Sequence, residues 1–466
     1  MLGFVMMRHR FATVLLCCAL PIAAQQSSGL NQKLSAKIQE MFQASGAPGV
    51  SVAVVEKGRL VYAQAFGDAD ISPERPANAG TRYAIGSISK QFTAAALLLL
   101  QEQGKLSLDD KVSKYFPQFT RAGEISIRQL LSHTSGYEDY APQDYMIPEW
   151  AKPTTPMALL DRWAKKPLDF DPGTQWQYSN TNYVLAGEIF EKASGRRLLP
   201  FLSGKIFRPL GMSSAGDCLA ATPADAAAYT RYAAGPPRPV AREGKGWYFG
   251  AAGLCMTPSD LARWDIAAFV QRKILPPRAY RQFTREVRLK NGDFTHYALG
   301  LQVGDLRGIP MLYHTGEVSG FLASNSVFPN RGAAVIVLSN EDGVDLIGPL
   351  SREIARLVLL PDQPPASDEE LRQVRSILEG LGEGKIDRTL FTANANSYFS
   401  GTALEDYKTS LAALGGLKSV TRVSESPRGG MTHRNYRAEY GKKTVRLNVY
   451  LMPDGKYEQF LVVVGP

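Results

Sequence analysis

Ser87 and Lys90 stand three positions apart in Ser87-Ile88-Ser89-Lys90, at the mouth of a stretch, Gln91 to Gln103, that reads as a buried helix. Residues three apart in a helix share a face, so the lysine can reach the serine oxygen. A serine hydroxyl is a poor nucleophile until a neighbouring base takes its proton. An ammonium near a helix N-terminus in a partly dry cleft is disfavoured by burial and by the positive end of the dipole. Neutral lysine, or a tyrosinate beside it, then becomes available as that base. A Ser-x-x-Lys pair turns up by chance on the order of once or twice in a chain this long, so its meaning depends on its company.

That company is Tyr178-Ser179-Asn180, just before a second helical pattern (Thr181 to Ala193), and His314-Thr315-Gly316, which closes a strand pattern. Two more strand patterns follow, Phe321 to Phe328 and Ala333 to Asn340. By itself the tyrosine triplet would read as a capped helix start, since Ser and Asn favour such positions. Taken in order, Ser-x-x-Lys, Tyr-x-Asn and Lys/His-x-Gly resemble the serine β-lactamase and penicillin-binding-protein superfamily. The nearest branch is class C, which also holds D-Ala-D-Ala carboxypeptidases, D-aminopeptidases and esterases. The resemblance covers residues 30 to 360 and takes in Leu130-Leu131-Ser132-His133-Thr134-Ser135-Gly136 and Pro172-Gly173.

The resemblance implies an acyl-enzyme on Ser87, with Lys90 sharing its proton. Tyr178 would be the base partner, its phenolate stabilised by the nearby cation, and would then protonate the leaving group and activate the deacylating water. Asn180 would orient Lys90 or the substrate carbonyl. Thr315 would hydrogen-bond a substrate carboxylate, Gly316 would let substrate backbone approach, and the backbone N–H groups of Ser87 and Glu317 would form the oxyanion hole. His314 stands where many β-lactamases carry Lys. An imidazole is partly charged at neutral pH, so it is expected to help hold that carboxylate. Glu317 beside the oxyanion hole should disfavour anions unless its side chain turns away. His133 is assigned to the scaffold. Neither a Ser-Asp-Asn triplet nor a class A-type loop glutamate is evident, which sets aside the class A mechanism.

The elements that must position these residues follow from periodicity. Leu34, Ile38 and Phe42 give Asn31 to Ala44 helical spacing, and Val50 to Val55 with Leu60 to Phe66 form a hairpin across Lys57-Gly58. Helices and loops dominate from Lys90 to Phe283. Strand patterns return at Ala298 to Val303, Ile309 to Tyr313 and Val335 to Leu338, before a helix from Leu346 to Leu359. Strands at both ends with helices between predict an α/β (α+β) fold: an antiparallel sheet flanked by helices, with an inserted helical lobe and the site in the crevice between them. Pro361-Asp362-Gln363-Pro364-Pro365 reads as a linker. Residues 367 to 466 read as a small α+β domain resembling the nuclear-transport-factor-2-like fold. Ser367 and Glu370 fit a capping box opening a helix to Leu381, a second helix runs from Ala403 to Leu414, and strand alternation surrounds Val445 to Leu451 and Phe460.

Arg8 and Arg10 precede an apolar run, Phe11 to Ala24, that ends in Ile22-Ala23-Ala24. This is the pattern of a secretory signal peptide cut after Ala24, too short for a comfortable membrane span. The expected location is therefore periplasmic or secreted. Cys218 and Cys255 remain after that cut and could pair in an oxidising compartment. Cys255 follows the apolar Ala251-Ala252-Gly253-Leu254 and reads more plainly as a buried thiol. Formal net charge is +9, but the basic residues are dispersed and not interleaved with aromatics, which argues against nucleic acid as a partner. The five histidines show no metal-ligand spacing, and no cofactor motif is present. Expected partners are small-molecule or peptide substrates, cell-wall peptide among the candidates. Two readings stay open: a serine hydrolase of D-amino-acid peptides or small esters, with β-lactam hydrolysis as one variant, and a non-catalytic binder of acyl ligands.

Overall fold

The computed structural model describes residues 22–360 and 366–463. The expected leader up to Pro21 and the linker Pro361 to Pro365 lie outside the described residues. The chain divides into two compact units, residues 1–360 and 361–466.

In the first unit, helix α1 (Ile22–Ser45) precedes strands β1 (Gly49–Glu56), β2 (Arg59–Ile71) and β3 (Glu74–Pro76). The helix begins before the expected Asn31, so the expected cut after Ala24 falls in its first turn. Lys57 and Gly58 are both left-handed, φ 50° and 72°, which makes the two-residue turn whose twist matches the strands it joins. The C-terminal half of the unit adds β7 (Gln302–Leu306), β8 (Ile309–Val318), β9 (Phe321–Phe328) and β10 (Ala333–Ser339), then helix α5 (Ile347–Leu359). All seven strands form one antiparallel sheet in the order β3-β2-β1-β10-β9-β8-β7.

Strand β1 is central and apolar on both faces, as a strand covered on both sides must be. Val50, Val52 and Val54 join Leu34, Ile38 and Ile354 in the core beneath α1 and α5. Ala53 and Val55 face the other core, under the helical lobe. That lobe includes α2 (Lys90–Glu102) and α3 (Asn180–Ser194), both buried over most of their surface.

Two expectations are corrected here. Residues Ala298 to Leu301 are a turn closed by the Ala298 N–H on the Leu301 carbonyl, not a strand. Strand β7 starts only at Gln302, where pairing with Tyr313 of β8 begins. Cys218 and Cys255 form a disulfide. Cys255 is buried as expected, but it lies on β6 (Leu254–Met256), which pairs with β4 (Tyr83–Ala84) and β5 (Gly216–Asp217). Gly216 is directly opposite Cys255, and this long-range pairing carries the chain to Cys218.

The second unit has helices α6 (Asp368–Gly382), α7 (Ala393–Tyr398) and α8 (Gly401–Ala413) and a four-stranded antiparallel sheet. Its strands are β11 (Leu417–Arg428), β12 (Met431–Tyr440), β13 (Thr444–Leu451) and β14 (Tyr457–Val463), in that order. Val374, Leu378 and Leu381 of α6 meet Val445, Leu447 and Val449 in its core. Ser367 caps α6 by accepting from the Glu370 N–H at 3.1 Å. The reciprocal half of the expected capping box is missing, because the Glu370 carboxylate is taken by Arg422 and by the Tyr436 hydroxyl, both at 2.8 Å.

Candidate active site

Ser87 sits in a single 3-10 turn, Gly86 to Ser89, that runs directly into α2 at Lys90. Lys90 is fully buried, and its Nζ donates to Ser87 Oγ at 2.9 Å, Asn180 Oδ1 at 2.8 Å and the Ala251 carbonyl at 3.1 Å. The two amide-type oxygens can only accept hydrogen bonds; the serine hydroxyl can also donate. When the amine is neutral it keeps two N–H bonds and turns its lone pair on Ser87. Burial lowers the Lys90 pKa to about 7, against the opposing pull of the Asp139 carboxylate. A base poised near neutrality thus faces Ser87, the one of its three hydrogen-bond partners that can give up a proton.

Asp139 escaped sequence analysis. Its carboxyl, largely buried, accepts from the Asn180 N–H at 2.9 Å and from Asn180 Nδ2 at 3.3 Å. This fixes the amide so that Oδ1 points at Lys90. Burial pushes the Asp139 pKa up, and hydrogen bonds from Ala141 and Asn180 oppose the shift. Asp139 lies in an irregular loop after Gly136, where no spacing pattern marks it.

Tyr178 precedes α3, its ring centroid 4.8 Å from Lys90 Nζ. Its buried hydroxyl has no hydrogen-bond partner in good geometry, although Ser87 is close enough to pull its pKa down slightly. Burial dominates and raises the phenol well above its ordinary value. The expectation of a tyrosinate stabilised by Lys90 is therefore corrected: Tyr178 enters as a neutral phenol, a donor aimed into the cleft.

His314, Thr315, Gly316 and Glu317 all lie on β8, which extends past the expected end at Tyr313. Gly316 does not make room for substrate. A Cβ there would fall 2.0 Å from the Ile85 carbonyl oxygen and 3.2 Å from the Ser87 nitrogen. Gly86, left-handed at φ 50°, answers from the other side, where a Cβ would fall 2.6 Å from the Glu317 nitrogen. The two glycines let the nucleophile turn and the strand touch backbone to backbone, which brings the N–H groups of Ser87 and Glu317 together.

His314 is 2% exposed, and both ring nitrogens are used internally. Nδ1 meets the Thr315 carbonyl and must donate; Nε2 then accepts from the Tyr297 hydroxyl at 2.8 Å. The Tyr297 oxygen in turn receives Nε2–H of His133 at 3.3 Å, and His133 Nδ1 accepts from the Ser179 N–H at 3.1 Å. The Ser179 N–H can only donate, so His133 Nδ1 carries no proton and that ring is neutral; burial keeps His314 neutral as well, which makes its Nε2 an acceptor. Burial, then repulsion from Lys90, lowers His314 to about 3 and holds His133 well below its ordinary value, with His314 a further repulsive contribution there. The expected carboxylate-binding imidazolium does not exist at neutral pH. His133 belongs to this chain behind the wall.

These residues open on a cleft of about 660 Å³ lined by Tyr140, Tyr145, Trp150, Trp176, Trp247 and Tyr248 among others. Carboxyl groups of Asp139, Asp144, Glu243, Glu317 and Asp342 also line it, and no Lys or Arg does among the described residues. Desolvation, with repulsion from Asp144 and Asp342, raises the Glu317 pKa to about 7; the open face of this residue to solvent tempers the effect. Among the described residues, no cluster of three or more metal-ligating side chains occurs, and no helix is long and apolar enough to cross a membrane.

The family model described as "Beta-lactamase" matches residues 34–358. Penicillin-binding protein 4* of Bacillus subtilis (strain 168) is 36% identical over 184 residues, 39% of this chain and 40% of that protein. A D-aminopeptidase of Brucella anthropi is 29% identical over 306 residues, 64% of this chain and 56% of that protein. The chain thus matches about half the length of these two relatives. Among solved structures, a D-stereospecific amidohydrolase from Streptomyces sp. superposes with a TM-score of 0.60 at 26% identity, covering 72% of this chain and 98% of that one.

Proposed function

Since the chain belongs to the β-lactamase family of serine hydrolases, we propose that it hydrolyses an amide or ester bond of small D-amino-acid substrates through an acyl-enzyme on Ser87. The observation that carries this reading is the 2.9 Å contact between Ser87 Oγ and a fully buried Lys90 whose pKa lies near 7.

The neutral amine takes the Ser87 proton as Oγ attacks the substrate carbonyl carbon. Charge that develops on the carbonyl oxygen is met by the N–H groups of Ser87 and Glu317. Tyr178 gives its phenol proton to the departing nitrogen or oxygen and recovers one from the Lys90 ammonium. In the second half, water attacks the acyl carbon, its proton passes to the amine, and Ser87 leaves as a hydroxyl once the proton returns to it.

The cleft supports the substrate class. Five carboxyl groups line the cleft and no Lys or Arg does among the described residues; Lys90 near Asp139 and Arg242 near Glu243 stand outside the lining. This favours a substrate with a free ammonium and disfavours one that must be held by a carboxylate. That points to amino-terminal amides and peptides rather than carboxypeptidase substrates or β-lactams, in keeping with the D-aminopeptidase and D-stereospecific amidohydrolase among the similar proteins. Export through the leader at residues 1–24 is part of the same reading, and the Cys218–Cys255 disulfide suits an oxidising compartment.

The test is hydrolysis of D- and L-phenylalaninamide and of a neutral nitrophenyl ester, with mass analysis of Ser87 after a fluorophosphonate. The expected result is D-selective turnover and an adduct on Ser87. Ser87→Ala should lose more than about a hundredfold in rate; a smaller loss removes Ser87 as nucleophile. Equal rates for the two enantiomers reject the D-amino-acid reading.

A further inference from the structure

Three polar atoms on side chains lining the cleft are buried and have no partner: Tyr178 Oη, Tyr248 Oη and Glu243 Oε2. The first has a role in the reaction proposed above; the other two do not. Glu243 is 6% exposed. Its Oε1 accepts from the Ser319 N–H at 3.1 Å and the Ser319 hydroxyl at 2.9 Å, just beyond the end of β8. Pinning that turn needs one carboxyl oxygen, and the second is left over. A buried acceptor without a donor costs about 1–3 kcal/mol, so a fold that retains one at a binding cleft leaves it for a ligand.

The backbone around Glu243 is held. The Gly244 N–H donates to the Trp150 carbonyl at 2.7 Å, the Thr154 N–H to the Lys245 carbonyl at 2.8 Å, and the Trp247 indole to the Lys152 carbonyl at 2.8 Å. A carboxyl on so fixed a segment is preorganised. The four other acids that line the cleft, Asp139, Asp144, Glu317 and Asp342, add negative charge to it.

We propose that Glu243 is the specificity residue of this site: its free Oε2 accepts from the ammonium of the substrate's amino-acid residue, with the Tyr248 hydroxyl as a second acceptor. This deepens the reading of the site as an amidase or peptidase for amine-bearing substrates and rests on it. Burial raises the Glu243 pKa, with its own backbone N–H, then Ser319 and Arg242, opposing. An arriving ammonium supplies the charge that holds the carboxylate ionised.

The experiment compares D-phenylalaninamide with 3-phenylpropanamide, which lacks only the amine, at pH 7, where an α-amino group is mainly protonated. Binding to Ser87→Ala protein and to Ser87→Ala/Glu243→Gln is measured by titration, and turnover by the two parents. The Gln variant should bind D-phenylalaninamide roughly 10- to 100-fold more weakly, the scale of a charge-assisted hydrogen bond, and raise KM more than it lowers kcat. Binding of 3-phenylpropanamide should stay within about threefold. Glu243→Asp, which keeps the charge, should retain a preference for the amine even if Gln disturbs the fold. Equal losses for both ligands would make Glu243 a structural pin for Ser319 and overturn the proposal, as would unchanged binding of the amine. Because binding is read without turnover, either result leaves Ser87-dependent hydrolysis as a separate question.

Discussion

Lys90 can serve as the base only when neutral, so activity should follow its deprotonation. For a neutral ester, kcat/KM should rise with pH along a limb centred near 7 and level off above it. Glu317 titrates in the same range; Glu317→Gln should therefore leave that limb in place. The Asp139 carboxylate favours the ammonium form, so Asp139→Asn should move the limb to lower pH while it lowers the plateau by loosening Asn180. A limb that stays put in Asp139→Asn, or disappears in Glu317→Gln, would take the base role from Lys90. At this scale, legibility followed sequence distance. Ser87 and Lys90 lie within one helical turn, so spacing suggested them, whereas Tyr178 and Asn180, at one helix start, were singled out by the resemblance to the β-lactamase superfamily. Asp139, Glu243 and Tyr297 arrive from loops, and only the folded chain brings them in. The charge of His314 was misjudged for the same reason: burial sets it, and residue type does not.

Strand β8 is the wall of the cleft, and a buried chain of hydrogen bonds from Ser179 through His133, Tyr297 and His314 to Thr315 ties it to the start of α3. Tyr297→Phe would keep the ring and remove the one group that both accepts and donates in the middle. That leaves the Nε2–H of His133 and the Nε2 lone pair of His314 buried and unpaired. At about 1–3 kcal/mol for each of the two groups, the variant should lose roughly 2–6 kcal/mol of stability in urea denaturation. Ester turnover should fall as well, because the Glu317 N–H rides on the same strand. A loss below about 0.5 kcal/mol would mean that the two histidines are already satisfied by other groups. Strands β1 and β10 were legible because they are buried and rich in Val, Ile and Ala, and β9 because it is buried and framed by Phe321 and Phe328; of β2, largely half-exposed, only the apolar stretch to Phe66 was read. Strands β11 and β12 were not. Their residues, Leu417 to Tyr440, are mostly polar, and the pair is held partly by ion pairs such as Arg422 and Arg434 with Glu425, which leave no apolar alternation to read.

Within the first unit the sheet closes on itself from both ends of the sequence, β1 pairing with β10 across the whole inserted lobe. A sheet assembled from distant segments was legible from strands at the ends and helices between; the strand order and the contacts that join lobe to sheet were not. One of them is Asp265, at the C-terminal end of helix α4 (Pro258–Asp265), fully buried against Asn325 of β9, whose Nδ2 donates to Asp265 Oδ1 at 3.0 Å. Asp265 Oδ2 and Asn325 Oδ1 have no other partner. Burial raises the Asp265 pKa well above the carboxylate range, and the bond from Asn325 only partly offsets this. The folded chain therefore holds the proton, whereas the unfolded chain releases it near pH 4. Stability from this group is fully present below that pH and drains away as pH rises toward the folded pKa, at about 1.4 kcal/mol per pH unit. Asp265→Asn has the same shape, keeps an acceptor for Asn325 Nδ2, and carries a permanent donor where the acid carries its proton. Its stability should match the wild type at pH 4 and exceed it by a margin that grows as pH rises from there, until the folded acid itself ionises. Denaturant midpoints for the two proteins across that range check the point. A margin that does not change with pH would show that Asp265 is ionised in the folded seam, with a cationic partner supplied from elsewhere in the lobe.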